Sequence, residues 1–126
     1  GAHGVNPNPY CLKDWEIQWF ASHGGVVAPI FMNYWISPVD TKCGMKYLMQ
    51  TVDHLYRVGG SDVVAIGTDF DGFTDPPDEL ASAEDLPRFT RELMAQYSES
   101  GRSYSDRVIK KFLGGNALRV LLEGWG

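Results

Sequence analysis

The sequence predicts an α/β chain built around an incomplete parallel sheet, and three observations lead there. Two apolar runs of strand length, Val26-Val27-Ala28-Pro29-Ile30-Phe31-Met32 and Val63-Val64-Ala65-Ile66-Gly67, are rich in β-branched residues. One helical pattern separates them, the arrangement of a crossover between parallel neighbours. A parallel sheet needs strands at both edges and helices over both faces, which two strands cannot provide. The missing strands are expected from a second copy of the chain or from a larger parent, and the larger parent is the reading carried forward.

Each element follows from local pattern. Val5-Asn6-Pro7-Asn8-Pro9-Tyr10 reads as loop. Residues 12–23 read as a helix: Leu12, Ile17, Trp19 and Phe20 form an apolar face, Asp14 and Glu16 suit the positive end of the dipole, and Gly24-Gly25 end it. The first run follows at once, weakened as a central strand by Pro29, which has no N–H to give a ladder. Residues 33–43 read as a loop carrying Tyr34, Trp35 and Pro38. Residues 44–58 read as a helix, with Met45, Leu48, Met49, Val52, Leu55 and Tyr56 at helical spacing and Gly59-Gly60 behind them. After the second run come a polar loop from residue 73 to about 83 and a helix over 84–98 with a proline near its start. Tyr104-Ser105-Asp106 opens another helix, with Ser103 or Ser105 as its cap. That helix breaks at Gly114-Gly115-Asn116, and residues 117–123 form a last turn or two.

Composition excludes several classes. At 126 residues the chain is one ordinary domain's worth, read as a single unit over residues 1–126. A net charge of −5, with no basic cluster beyond Lys110-Lys111, argues against a nucleic-acid partner. No stretch approaches 18 consecutive apolar residues, so no segment reads as a membrane span. Cys11 and Cys43 are too few for a disulfide framework and read as thiols, a single bridge remaining open. Gly1-Ala2-His3, with no initiator Met, reads as a remnant added for expression, and the absent signal peptide leaves the compartment open, with the cytoplasm slightly favoured.

The most informative segment is Val63-Val64-Ala65-Ile66-Gly67-Thr68-Asp69-Phe70-Asp71-Gly72. An acid at the C-terminal mouth of a buried strand faces the place where α/β folds keep their ligands. A rigid strand holds that carboxylate in place before substrate arrives. Thr68 and Gly72 allow a tight turn that leaves Asp69 at the mouth. The alternative is that Asp69 and Asp71 only shape their own turn, and spacing alone leaves both readings open.

Ile66-Gly67-Thr68-Asp69-Phe70-Asp71-Gly72 resembles the strand-eight motif of the membrane dipeptidase (renal dipeptidase) family, metal-dependent amidohydrolases. Asp85-Leu86-Pro87-Arg88-Phe89-Thr90-Arg91-Glu92-Leu93 resembles the family's next helix. Phe112-Leu113-Gly114-Gly115-Asn116-Ala117-Leu118-Arg119-Val120 resembles its closing signature. Residues 12–31 are similar to its preceding helix and seventh strand, and residues 33–37 to the aromatic loop that follows. The resemblance thus spans nearly the whole chain.

The resemblance implies that the chain is the C-terminal part of a (β/α)₈ barrel, about strands seven and eight with flanking helices. It implies a binuclear zinc centre whose hydroxide attacks the carbonyl of a dipeptide or related amide. It assigns Asp69 as the catalytic carboxylate, contacting the substrate amino group and moving a proton to the leaving nitrogen. Most metal ligands lie outside these residues, so the chain alone is expected to be inactive. His3 is the one candidate ligand, although it stands closer to Leu12 than the family's spacing. Tyr10 occupies the position where the family usually carries an arginine for the substrate carboxylate. Tyrosine cannot form that bidentate charged pair, which turns the expectation toward a modified or different amide. Tyr34 and Trp35 are candidates for lining the substrate pocket, plain packing being the alternative.

The remaining residues read as structural. His23 suits a helix C-terminus, His54 lies on the second helix at the outside of the barrel, Asp71 shapes the Asp69 loop, and Asn116 belongs to a helix junction. A magnesium-dependent phosphatase of the haloacid-dehalogenase type is a rival, with Phe73-Thr74 after Asp-x-Asp-Gly, but its downstream lysine and acidic motif find no room after Gly72. A calcium loop fails because the glycine comes fourth and the twelfth residue is Leu80. A non-catalytic fragment that only associates is the reading outside enzymology. Exposed strand edges predict self-association or docking onto the missing N-terminal part of the barrel.

Overall fold

The computed structural model describes residues 1–38, 45–72, 75–95 and 103–125. Cys43, Phe73-Thr74 and the expected end of the fourth helix beyond Ala95 lie outside the described residues. Among the described residues six α-helices follow in order: α1 (Asp14–Ser22), α2 (Asn33–Ile36), α3 (Met45–Gly59), α4 (Leu86–Ala95), α5 (Asp106–Lys110) and α6 (Asn116–Trp125). A 3₁₀ turn, Ala83–Asp85, leads into α4, and a wide π-type turn, Lys111–Gly115, joins α5 to α6.

The two apolar runs lie side by side and parallel. Val27 N–H donates to the Val63 carbonyl at 2.7 Å, and Ala65 N–H donates to the Val27 carbonyl at 3.1 Å. The contact is one isolated bridge, Val27 to Val64, rather than a ladder. Pro29 explains this. In a parallel pair alternate residues send their N–H to the same neighbour, so residues 27, 29 and 31 face the second run, and the middle one has no N–H. Pairing resumes at Phe31, whose N–H reaches the Thr68 carbonyl at 3.2 Å. Strict register from Val27 would bring Phe31 to Gly67, so the second run takes up one extra residue just before Asp69. At Gly67 the runs are so close that a side-chain carbon would stand 2.8 Å from Ala28 Cβ, hence glycine.

The core lies between these runs and the helices. Ile17, Phe31, Leu48, Val52, Leu55, Val63, Val64, Phe89, Leu93 and Phe112 are buried together. The second run is buried over residues 63–65, whereas Ala28 in the first is exposed, because no described segment covers that side. The expectation of two strands buried throughout therefore holds over residues 63–65, while in the first run Pro29 and Phe31 are buried and Ala28 is not. α1 begins as its acids predict: Glu16 reaches back to accept the Lys13 N–H at 2.8 Å. Of its expected apolar face, Ile17 is buried but Trp19 is exposed. Trp19 instead stacks on His23 at 4.3 Å on the outer surface.

Residues 33–36, expected as loop, form the short helix α2. Ser105 caps α5, accepting from Val108 N–H at 3.4 Å. At the junction before α6, Asn116 Nδ2 donates to the carbonyls of Ser61 at 2.8 Å and Val64 at 2.7 Å, pinning α6 to the start of the second run. Behind α3, Tyr104 donates its hydroxyl proton to Asp53 Oδ1 at 2.9 Å, and Arg57 pairs with the other carboxylate oxygen at 3.1 Å. No helix among the described residues is long and apolar enough to cross a membrane.

Candidate active site

Asp69 stands where the second run ends. Its backbone is left-handed, φ 56°, as is that of Asp71, φ 67°. Aspartate is one of the few side chains that adopt this conformation readily. Gly72 N–H closes the turn on the Asp69 carbonyl at 3.1 Å, and Phe70 N–H donates to Thr68 Oγ1 at 3.3 Å. Phe70 packs inward against Phe31, 6.0 Å between ring centres, while Asp69 and Asp71 are exposed. The turn-shaping and mouth-presenting readings of Asp69 thus describe one geometry: the turn presents the carboxylate.

Tyr10, Tyr34 and Trp35 come together. Tyr10 meets Trp35 edge-on at 5.9 Å, and Trp35 meets Tyr34 at 5.0 Å. Tyr10 is 81% exposed. Its N–H is held by Asn8 Oδ1 at 2.9 Å. Asn6 Nδ2 donates to the carbonyls of Trp35 at 3.3 Å and Tyr34 at 3.4 Å, fastening the N-terminal loop to α2. Because α2 follows the first run directly, this aromatic group and Asp69 lie at the same end of the paired runs.

Asn33 opens α2 and was not singled out from sequence. It is 3% exposed. Its backbone N–H donates to the Asp75 carbonyl at 3.0 Å. Its Nδ2 donates to the Pro76 carbonyl at 3.0 Å and approaches Asp75 Oδ1 at 3.4 Å. The side-chain amide groups of Asn6 and Asn33 donate to partners 28 to 43 residues away, so local pattern carries no sign of these bonds.

The histidines are dispersed. His3 is half-buried, and its N–H donates to the Leu12 carbonyl at 2.7 Å, while Leu12 N–H returns to Gly1 at 3.0 Å. Ala2 between them is fully buried. Residues 1–3 are therefore packed into the fold. His54, on α3, is buried in a structural role: its ring lies against Gly4, and Nε2 is 2.7 Å from Asp14 Oδ1. His23 ends α1, with Nδ1 2.8 Å from the Trp19 carbonyl. Cys11 is a free, buried thiol. No group of three or more His, Cys, Asp and Glu among the described residues is arranged to hold a metal ion.

Comparison with known proteins gives consistent answers. The sequence profile of the membrane dipeptidase family, peptidase family M19, matches residues 1–124. An uncharacterized protein from the pqqA 5′ region of Klebsiella pneumoniae is 35% identical over 98% of this chain and 44% of its own length. Dipeptidase ataJ of Aspergillus terreus is 30% identical over 94% of this chain and 28% of its own. Among solved structures, dipeptidase AC, a metallopeptidase, superposes on 99% of this chain with a TM-score of 0.86 at 26% identity, over 36% of its own length. A Rhodobacter sphaeroides metallopeptidase, bound to a phosphinate mimic of the dipeptide L-Ala-D-Ala, superposes on 98% with a TM-score of 0.85 at 25% identity, over 34% of its own. The chain thus spans less than half the length of these relatives. A profile match over almost every residue also displaces the phosphatase reading.

Proposed function

The chain belongs to the membrane dipeptidase family, peptidase family M19, and from that premise we propose that it forms the closing portion of a barrel that hydrolyses a dipeptide or a related amide. One observation carries the reading: the paired apolar runs share a C-terminal end, and an exposed Asp69 is presented there on a fixed turn. In this reading the runs are the seventh and eighth strands of the barrel. Asp69 contacts the substrate amino group and carries a proton to the leaving nitrogen, a task suited to a carboxylate held at one place.

The described residues do not by themselves fit a zinc pair. In this proposal the zinc ligands belong to other strands, with His3 the one candidate here, and the chain's own part is the acid and the aromatic wall. Tyr10, Tyr34 and Trp35 form that wall. With Tyr10 at the place of the family's arginine, the wall offers one hydroxyl to the substrate's far end, which favours amides without a free carboxylate there.

In the full-length protein, Asp69→Asn is expected to lower kcat by roughly 10²–10⁴-fold while metal content stays the same. Unchanged turnover would remove Asp69 from the mechanism. A substrate series with free and amidated C-termini decides the role of Tyr10: equal or better hydrolysis of the amidated members is expected, and a strong preference for the free carboxylate would reject it.

The partner proposed for the exposed edges is the rest of the barrel. Leu118, Leu121, Leu122 and Trp125 lie along one side of α6, all exposed, a contiguous apolar stripe of the kind that marks an interaction face. The 126-residue chain alone is expected to self-associate. A single monomeric species in sedimentation equilibrium would count against it.

A further inference from the structure

We infer that Asn33 is a positioning residue for Asp69, tying the acid's loop to the helix that carries the aromatic wall. The inference rests on the proposed role of Asp69. Its grounds are the bonds on either side of the Asp69 turn. Upstream, Thr68 is held by Phe31 N–H through its carbonyl. Downstream, Asp75 and Pro76 are held by Asn33 through a backbone bond at 3.0 Å and two side-chain contacts at 3.4 and 3.0 Å. Both anchors come from one short stretch of the neighbouring run, residues 31–33. Only two residues stand between Gly72 and Asp75, a reach of about 10 Å over the three steps at full extension, so fixing Asp75 confines the turn that presents Asp69.

The side chain's chemistry singles out asparagine. Nδ2 faces two oxygens, those of Asp75 and Pro76, which fixes the amide's orientation. The opposite oxygen, Oδ1, is then buried without a partner among the described residues. A buried acceptor without a donor costs stability. The amide is held this way by what Nδ2 grips, at the expense of Oδ1. An apolar residue of the same size would suit the core better and release the loop. Asn33 also starts α2, whose next residues are Tyr34 and Trp35. The same residue therefore fixes the distance between the aromatic wall and the acid.

The test is a double-mutant cycle in the full-length protein. Asn33→Leu is expected to lower kcat about 10- to 100-fold, as misplacement of a reacting group does, with KM and metal content little changed. In an Asp69→Asn background the same change should cost less than about twofold, because the group it positions no longer acts. An equal loss in both backgrounds, or no loss in the parent, overturns the inference. Asp75→Ala removes one side-chain acceptor from a half-buried loop and serves as the second arm. It is expected to show a smaller loss that also vanishes with Asp69→Asn, and if Asn33→Leu does not fold, this arm decides. Should Asp69→Asn itself leave turnover intact, the reading of Asp69 fails, and that outcome is separate from a cycle in which Asp69 matters and Asn33 does not couple to it.

Discussion

Gly72 closes directly over Asp69: its amide donates to the Asp69 carbonyl at 3.1 Å, and a side-chain carbon placed on Gly72 would run into the Asp69 carboxylate. The acid's side chain and the glycine's bare backbone occupy the same corner, so the last residue of the motif sets where the carboxylate rests.

Gly72→Ala should therefore act on catalysis before it acts on folding. The turn is exposed, so the added methyl displaces the carboxylate instead of disrupting the core. The expected result in the full-length protein is a fall in kcat of about 10- to 100-fold, since a displacement of order 1 Å at a reacting group can cost that much. Loss of stability should stay near 1 kcal/mol. Full activity in the alanine variant would show that Asp69 does not need this corner.

Asn116 makes a contrasting case, structural with no part in the site. Of its two donated bonds at the foot of the second run, that to Val64 is buried and that to Ser61 part-buried. Asn116→Leu leaves one buried and one part-buried carbonyl short of a donor and should cost roughly 1–3 kcal/mol in urea unfolding of the full-length protein. Folded enzyme should keep its kcat. A cost below about 0.5 kcal/mol, the size of an ordinary surface change, would contradict this account of the junction.

Tyr104 predicts an alkaline limit to stability. Burial, with Asp53 beside it, pushes its hydroxyl well above the ordinary tyrosine value of 10.0. The unfolded chain releases this proton near pH 10.0 while the folded chain keeps it. The group's stabilisation is complete below that pH and is lost as pH rises beyond it, by at most about 1.4 kcal/mol per pH unit. Tyr104→Phe should cost about 1–2 kcal/mol at neutral pH, through the hydrogen bond lost at Asp53. It should also flatten the decline above pH 10. Parallel unfolding curves for the two proteins between about pH 9 and 11 would reject the linkage.

How much of this was legible in the sequence differs by element. The parallel pairing of residues 26–31 with 63–68 was, because unbroken β-branched runs separated by one helix leave little alternative. Even its weak point was visible, since Pro29 lacks the N–H that the ladder needs there. α2 was not legible. Asn33, Tyr34, Trp35 and Ile36 are all middling or poor helix formers, and the turn is held by bonds to Asp75 and Pro76, more than 40 residues away. The face of α1 was misjudged at Trp19 for a related reason. Helical spacing marks which residues share a side, but Ile17, Phe20 and Ala21 are the α1 residues that meet the core, and Trp19 packs against Phe20 and His23 outside it. That Asp69 and the pair Tyr34-Trp35 stand at a common end followed from the runs they terminate, whereas the contact of Tyr10 with Trp35 comes from the N-terminal loop and was not legible. The asparagines that tie them there were silent, because a single amide announces nothing until its distant partners are known.

The buried thiol of Cys11 has a practical consequence. Its sulfur lies 3.5 Å from the Trp35 carbonyl, beneath the helix that carries the aromatic wall. Gly1 packs against the same sulfur, so a thiol reagent reaches Cys11 only when α2 or the N-terminal loop moves, and the labelling rate at Cys11 reads out local opening where the two meet.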